Sequence, residues 1–172
     1  LLSGRRFKAP LFDPFCGSGT IAIEAALLAK NIAPGLKRNF AFQQFKNFES
    51  WSFDTMKLDA SKKSFEGKYQ IFAFDKDPEM IRIAKANAQE AGLAELIHFE
   101  QKDFLDFELP STEKSRLISN PPYGKRIWSQ DLDLLYQKLA LSFQGEHFGW
   151  RISSRKNPEL DKSLWSEKKL FN

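Results

Sequence analysis

The sequence predicts an α/β fold in which a mostly parallel sheet carries helices on both faces. Short apolar segments alternate with helical segments along the 172 residues, and this alternation is typical of parallel strands joined by crossover helices. Polar or glycine-rich residues follow each of the first four predicted strands. The carboxyl ends of parallel strands lie at one edge of a sheet, so we expect these residues to form a ligand site there.

The first strand and its turn carry a glycine pattern. Residues 11–13 read as the end of a buried strand, residues 14–19 as a turn, and residues 20–31 as a helix rich in Ala, Ile and Leu. Glycines in such a turn let a ligand approach the backbone. With Ala22 the turn fits the dinucleotide pattern G-x-G-x-x-G/A. The match is weak, because the ribose-binding acid should follow after about 20 residues, whereas Asp75 lies much farther along.

Residues 32–67 interrupt the alternation. A Pro34-Gly35 turn precedes six aromatic residues whose spacing fits one face of neither a helix nor a strand. We expect an insert that packs over one edge of the sheet, with its rings in the core. The six aromatic residues are Phe40, Phe42, Phe45, Phe48, Trp51 and Phe53.

The second strand and its helix have clear end signals. The strand is expected at residues 69–74 and ends before Asp75. Asp77 is a candidate helix N-cap, followed by Pro78 at the first helical position. Gly92 is a natural C-terminal stop for that helix.

Shorter elements are predicted in the rest of the chain. Strands are expected at residues 96–100, 116–119 and 150–153, with the start of another at 169–171, and a helix at 131–143. The fourth strand is short and polar for a central position. The order of elements still alternates, as a parallel sheet requires.

Composition excludes several classes of protein. A chain of 172 residues that is 42% hydrophobic makes one domain with one substantial core. We expect no membrane span, since these residues contain no apolar run of the required length, and their start does not resemble a leader peptide. The first residue is Leu and not Met, so we expect this sequence to be a piece of a longer protein. A single cysteine, Cys16, and two histidines predict no internal disulfide, no metal cluster and a reducing cytoplasm. The net charge of +4 permits contact with a polyanion.

The run Asn120-Pro121-Pro122-Tyr123-Gly124 follows the fourth predicted strand. Two adjacent prolines cannot lie inside a helix or a central strand, so the run must be a rigid loop. The Asn side chain and nearby backbone carbonyls can accept hydrogen bonds from a primary amine, and the Tyr ring can stack on its base. This is what an enzyme that modifies the amino group of a base needs.

Three acidic residues favour a cationic nucleoside ligand. Asp75 can hold both ribose hydroxyls of an adenosine, and Asp103 can accept from an adenine amine with Phe104 beside the ring. Asp13 or the glycine-turn backbone can meet the amino-acid end of the ligand. Such an acidic pocket suits S-adenosylmethionine better than a pyrophosphate, and the sequence has no P-loop motif.

Together these motifs resemble the class I S-adenosylmethionine-dependent methyltransferases. More narrowly, the chain resembles the THUMP-linked, UPF0020-type RNA guanine-N2 methyltransferases, whose large-subunit rRNA members carry DPFCGSGT and NPPYG. The matching stretches are residues 13–20, 32–35, 74–78 and 120–124. The resemblance implies a Rossmann-like fold, with one catalytic domain over residues 1–172 and the N-terminal THUMP-type region absent.

The resemblance also implies the reaction and its residues. The expected activity is methylation of an exocyclic amine in RNA, at guanine N2 of 23S rRNA, with S-adenosylmethionine as cofactor and neither a metal nor a membrane as partner. The cofactor-binding residues it implies are Asp13, Phe15, Cys16, Gly17, Gly19, Thr20, Asp75, Lys76, Asp103, Phe104 and Asn120. The catalytic residues it implies are Asn120, Pro121, Pro122 and Tyr123.

The implied mechanism is direct transfer to nitrogen. Hydrogen bonds from the amine to the Asn120 side chain and the Pro121 carbonyl would favour a pyramidal nitrogen that faces the methyl donor. Cys16 is interpreted as a small packed hydrophobe and not as a nucleophile. Lys125 and Arg126 are placed to meet flanking phosphates.

Other interpretations remain open. The same loop would serve adenine N6 in DNA or RNA, or a protein glutamine amide. A non-catalytic nucleic-acid-binding module and a nicotinamide oxidoreductase are more distant alternatives. Among single residues, Asp77 is assigned to helix capping and Asp75, which has no cap to make, to ribose. Ser18 is a candidate cap for its helix.

Overall fold

This computed structural model describes residues 9–36, 38–108, 115–122, 134–135, 137–138 and 148–152. The predicted strand at residues 169–171 and most of the predicted helix at 131–143 lie outside the described residues. The described part contains a five-stranded parallel sheet. Its strands are β1 (Leu11–Asp13), β2 (Ile71–Asp75), β3 (Ile97–Gln101), β4 (Ser115–Ser119) and β5 (Phe148–Ile152).

The strand order is β3-β2-β1-β4-β5. The short central strand β1 pairs with β2 on one side, where Phe12 lies opposite Phe72, and with β4 on the other, where Phe12 lies opposite Leu117. After β1, the chain forms β2 and β3 on one side of it and then returns to form β4 and β5 on the other side. The order therefore reverses between β1 and β4, and ligands of open α/β sheets bind at such a point. The predicted α/β fold with a parallel sheet is confirmed.

Two α-helices cover one face of the sheet. These are α1 (Thr20–Ala29) and α3 (Pro78–Ala91). Both present alanines to the core, and small side chains let a helix lie close to a sheet. Ala22, Ala26, Ala84 and Ala88 are fully buried there, together with apolar residues of β1, β2 and β3. This packing sets where α1 begins, and so fixes the turn before it at the sheet edge.

An aromatic cluster covers the other face. The Phe12 ring stacks on Phe72, with 5.0 Å between centroids, and the Phe74 ring lies 5.0 Å from Phe107. Phe104, in a short 3-10 helix (Phe104–Asp106), completes the cluster, and Leu135 from a helical segment packs on it. The sheet is thus covered on both faces, as the sequence predicts.

The end signals of α3 are confirmed. The Asp77 side chain accepts a hydrogen bond from the Glu79 N–H at 2.9 Å, and Pro78 is the first helical residue. Gly92, with φ of 76°, is the left-handed C-terminal residue. These caps fix the helix between the carboxyl end of β2 and the start of β3.

The aromatic insert is less buried than the sequence suggests. It contains a 3-10 helix (Ala41–Gln44) and α2 (Ser50–Ser61), and neither has a buried residue. Trp51 is 67% exposed, and Phe53 packs against other rings of the insert and against the Lys57 ammonium group. The expectation that these rings belong to the core is wrong, because they form a small cluster of their own outside the two sheet faces.

Contacts with the C-terminal end of α1 join the insert to the domain. The Phe65 N–H donates to the Lys30 carbonyl at 2.8 Å, and the Asn31 side chain donates to the Lys63 carbonyl at 2.7 Å. Lys30 also pairs with Glu66 at 3.5 Å. These contacts hold the C-terminal end of the insert beside the end of α1.

Candidate active site

The turn between β1 and α1 forms the first wall of the site. The Cys16 N–H donates to the Phe74 carbonyl at 2.8 Å, which ties the turn to β2. Gly17 and Gly19 have φ angles of 52° and 84°, in the left-handed region that glycine adopts without strain. A Cβ on Gly17 would meet no atom within 4 Å. The backbone at Gly17 is therefore open to a ligand.

At Gly19 the absence of a side chain allows close packing of the turn against α3 and β3. A Cβ there would lie 3.0 Å from the Ala84 Cβ and 3.3 Å from the Phe99 ring. Gly19 is also the N-cap of α1, and no side chain caps that helix. The expectation that Ser18 caps α1 is wrong, because its hydroxyl lies 3.4 Å from the Thr20 hydroxyl and Thr20 itself is exposed.

Asp75, at the end of β2, bridges the turn and the next loop. Its Oδ2 accepts from the Gly17 N–H at 2.9 Å, and its Oδ1 accepts from the Asp77 N–H at 3.0 Å. Asp75 is not a helix cap, as expected, because Asp77 is the N-cap of α3, but these two hydrogen bonds give it a structural role that the sequence did not indicate. Each carboxylate oxygen has a second lone pair, so Asp75 can still accept hydroxyl groups from a ligand.

Asp13, at the end of β1, is a fully buried acid. The Ser119 hydroxyl donates to its Oδ1 at 2.5 Å, while its Oδ2 has no hydrogen-bond partner among the described residues. Burial raises the pKa of Asp13 to about 7, the Ser119 and Phe15 hydrogen bonds lower it, and the charge of Asp75 raises it. A half-satisfied buried carboxylate of this kind attracts a cationic ligand.

Cys16 is a buried thiol. Burial, with the nearby charges of Asp13 and Asp75, raises the pKa of Cys16 to about 12. The thiolate is the nucleophilic form of cysteine, and it is scarcely populated near neutral pH at such a pKa. The geometry agrees with the interpretation of Cys16 as a packed side chain.

A cavity of about 700 Å³ opens beyond the ends of β2 and β3. The Gln101 side chain donates to the Lys76 carbonyl at 3.2 Å, and the Asp103 side chain accepts from the Leu105 N–H at 2.9 Å. Asp103 thus caps the 3-10 helix and is partly exposed. The cavity is lined by Lys76, Asp77, Pro78, Gln101, Lys102, Asp103 and Asp106.

Two of the predicted site residues are aromatic. The Phe15 and Phe104 ring centroids are 5.1 Å apart. Phe15 is half-buried at the site, whereas Phe104 is 2% exposed and belongs to the core. Phe104 therefore packs against Phe15 from the core of the domain.

The loop after β4 is the candidate second wall of the site. Asn120 is exposed, Pro121 is buried and Pro122 is half-buried. The predicted catalytic Tyr123 lies outside the described residues, as do Lys125 and Arg126. Because β4 is parallel to β1, the loop starts at the same sheet edge as the glycine turn.

Sequence reasoning missed three residues. Ser119 contacts Asp13, Gln101 lines the cavity, and the Asn87 side chain donates to the Ser18 carbonyl at 2.9 Å, joining α3 to the turn. Only Ser119 had a signal, because it is a small polar residue directly before a conspicuous loop. The other two depend on how the helix and strand ends meet.

Within the described residues, no group of three or more His, Cys, Asp or Glu side chains could hold a metal ion. No helix in the same part of the chain is long and apolar enough to cross a membrane.

Comparison with known proteins agrees with this fold. The chain is 45% identical over 149 residues to the ribosomal RNA large subunit methyltransferase K/L of Shewanella frigidimarina, covering 83% of this chain but only 21% of that protein. The structure of SMU.472 complexed with SAH superposes with a TM-score of 0.83 at 31% identity, covering 95% of this chain and 44% of that one.

A second solved structure carries a different activity in its name. It is a predicted N6-adenine-specific DNA methylase from Listeria monocytogenes, with a TM-score of 0.80 at 32% identity over 90% of this chain and 41% of that one. Residues 1–166 match the family described as UPF0020, RMKL-like, methyltransferase domain. The chain therefore belongs to the UPF0020 family of RMKL-like methyltransferase domains.

Proposed function

We propose that this domain transfers a methyl group from S-adenosylmethionine to an exocyclic amine of RNA, at guanine N2 of 23S rRNA, in the cytoplasm. The observation that carries the proposal is that the glycine turn and the Asn-Pro-Pro loop follow adjacent parallel strands, on the two sides of the point where strand order reverses. A donor on one wall and an amine on the other would then lie side by side.

The residues of the first wall fit the cofactor. The unpartnered Oδ2 of Asp13 suits a cationic amino-acid end, and the open backbone at Gly17 leaves room for the ligand. Asp75 keeps acceptor capacity for ribose hydroxyls, and the cavity bounded by Lys76 and Asp103 has the volume for an adenine ring. When bound, the cofactor would supply an electrophilic methyl group.

The second wall would hold the amine. The exposed Asn120 side chain and the Pro121 carbonyl can accept hydrogen bonds from its N–H groups. These bonds would orient the nitrogen lone pair toward the first wall and stabilise the positive charge that develops there. Tyr123 would stack on the base, and Lys125 and Arg126 would contact flanking phosphates. Cys16 takes no part as a nucleophile, since its thiol stays protonated.

The RNA substrate rests on family relatives. The Shewanella relative is named for large-subunit rRNA, and its sequence carries the same domain within a longer chain. We propose that residues 1–172 act as one catalytic domain, with a THUMP-type region elsewhere in such proteins assisting RNA capture. Adenine N6 is the second candidate target, because a close structural neighbour is named for it.

Product analysis tests the proposal. The protein is incubated with labelled S-adenosylmethionine and unmodified large-subunit rRNA, and the RNA is digested to nucleosides for mass spectrometry. We expect the label on N2-methylguanosine. Label on N6-methyladenosine would establish the second candidate. Label on protein alone, or no transfer with cofactor bound, would refute RNA methylation.

A further inference from the structure

We propose that Ser119 is a positioning residue for the cofactor: its hydroxyl holds the Asp13 carboxylate in the orientation and charge state that receive a cationic ligand. The inference rests on the proposed function, because it takes that ligand to be S-adenosylmethionine. Ser119 is the last residue of β4. It lies outside both the glycine turn and the Asn-Pro-Pro loop.

The contact is buried and joins two adjacent strands. Ser119 is 2% exposed and Asp13 is 0% exposed, so water cannot replace the hydroxyl if it is lost. The bond, 2.5 Å from Ser119 Oγ to Asp13 Oδ1, joins residues 106 positions apart in sequence. It occupies one carboxylate oxygen and leaves Oδ2, which is itself buried, without a hydrogen-bond partner among the described residues.

The groups around Asp13 act on its ionisation in opposite directions. Asp75 acts on Asp13 from the end of β2 and opposes its ionisation, while the Cys16 thiol in the adjoining turn stays neutral. From β4 the group that faces Asp13 is the Ser119 hydroxyl. The donors that favour the charged form are this hydroxyl and the Phe15 backbone N–H. Only the hydroxyl belongs to a side chain, so substitution can remove it.

A binding experiment separates this role from a merely structural one. Binding of S-adenosylhomocysteine, which keeps the cationic ammonium group, is measured by calorimetry between about pH 6 and 9 for wild type and Ser119→Ala. Loss of the hydroxyl should raise the pKa of Asp13 by about one unit, so binding should weaken about fivefold near pH 7 and about tenfold near pH 6. Near pH 9 the two proteins should converge, because Asp13 is ionised in both.

Three further variants make the result specific. Ser119→Thr keeps a hydroxyl and should keep the wild-type pH profile. Ser119→Cys, a weak donor of similar size, should move the profile as Ala does, and serves if the Ala variant does not fold. Ser115→Ala is the matched control, because Ser115 is on the same strand and is also 2% exposed. Its profile should stay in place.

The outcomes are distinct. The inference is supported if the pH profile shifts in the Ser119→Ala or Ser119→Cys variant and stays in place in Ser119→Thr and Ser115→Ala. An unchanged Ala profile, or an equal loss of affinity at every pH, overturns it and assigns Ser119 a structural role. If wild type itself does not bind S-adenosylhomocysteine, the proposed function fails, and the inference fails with it.

Discussion

The Ser119 hydroxyl, at the end of β4, donates a 2.5 Å hydrogen bond to the buried Asp13 carboxylate at the end of the adjacent strand β1. This bond connects the strand that leads into the glycine turn with the strand that leads into the Asn-Pro-Pro loop. The two walls of the candidate site are therefore held in register by side chains as well as by the sheet.

The first prediction concerns stability and pH. The pKa of Asp13 is raised from 3.8 to about 7, so the native protein keeps a proton that the unfolded chain has lost. Stability should therefore fall as pH rises through this window, by up to about 4 kcal/mol. Denaturant unfolding between about pH 4 and 8 should show this decline in wild type and a flatter curve in Asp13→Asn. Asp59 is an exposed acid in α2, and the Asp59→Asn control should keep the wild-type dependence of stability on pH. If Asp13→Asn also kept that dependence, the raised pKa of Asp13 would be contradicted.

The second prediction separates the two glycines. Alanine at either position takes a left-handed φ, at a cost of about 1–2 kcal/mol. Gly19→Ala should lose about 1–3 kcal/mol more, because its Cβ would press on Ala84 and Phe99. Chemical denaturation measures this difference, and calorimetry measures binding of S-adenosylhomocysteine. Gly17→Ala should lose mainly affinity, since its Cβ enters open space. Equal stability losses would show that packing at Gly19 is looser than described.

The third prediction concerns Cys16. With a pKa of about 12 and a buried side chain, the thiol should resist iodoacetamide near pH 8 in the native protein. It should react readily once the chain is unfolded in denaturant, which is the internal control. Intact-mass analysis measures both. Rapid alkylation of the native protein would reveal an activated thiol and reopen covalent catalysis.

The fourth prediction compares two rings of the insert. Phe53 packs on Phe40, Phe42 and Phe48, whereas Trp51 is 67% exposed. Phe53→Ala should destabilise the insert by about 2 kcal/mol, while Trp51→Ala should stay within about 0.5 kcal/mol of wild type. Hydrogen exchange of α2 amides reads out the local effect. A larger loss in Trp51→Ala would mean that the exposed face is covered by another part of the protein.

Sequence reasoning predicted the fold well where local signals are strong. Asp77-Pro78 and Gly92 mark both ends of α3, and the alternation of elements gives the parallel sheet. It failed for the insert, because aromatic composition indicates that rings will cluster but does not distinguish the core of the sheet from a separate cluster. It also missed the second role of Asp75, since backbone donors such as the Gly17 N–H carry no sequence signal. Ser119 was overlooked although it directly precedes the Asn-Pro-Pro loop, because its partner Asp13 lies 106 residues away in sequence.

The most direct test of the central claim uses Asn120→Ala, because Asn120 is exposed at the site and its loss should leave the fold intact. Methyl transfer to rRNA is followed in single turnover, and S-adenosylhomocysteine binding is measured on the same protein. The account predicts that transfer at saturating S-adenosylmethionine slows by about 10²–10³-fold, as for loss of one preorganised hydrogen-bonding group, whatever the change in cofactor affinity. Transfer at the wild-type rate would contradict the account.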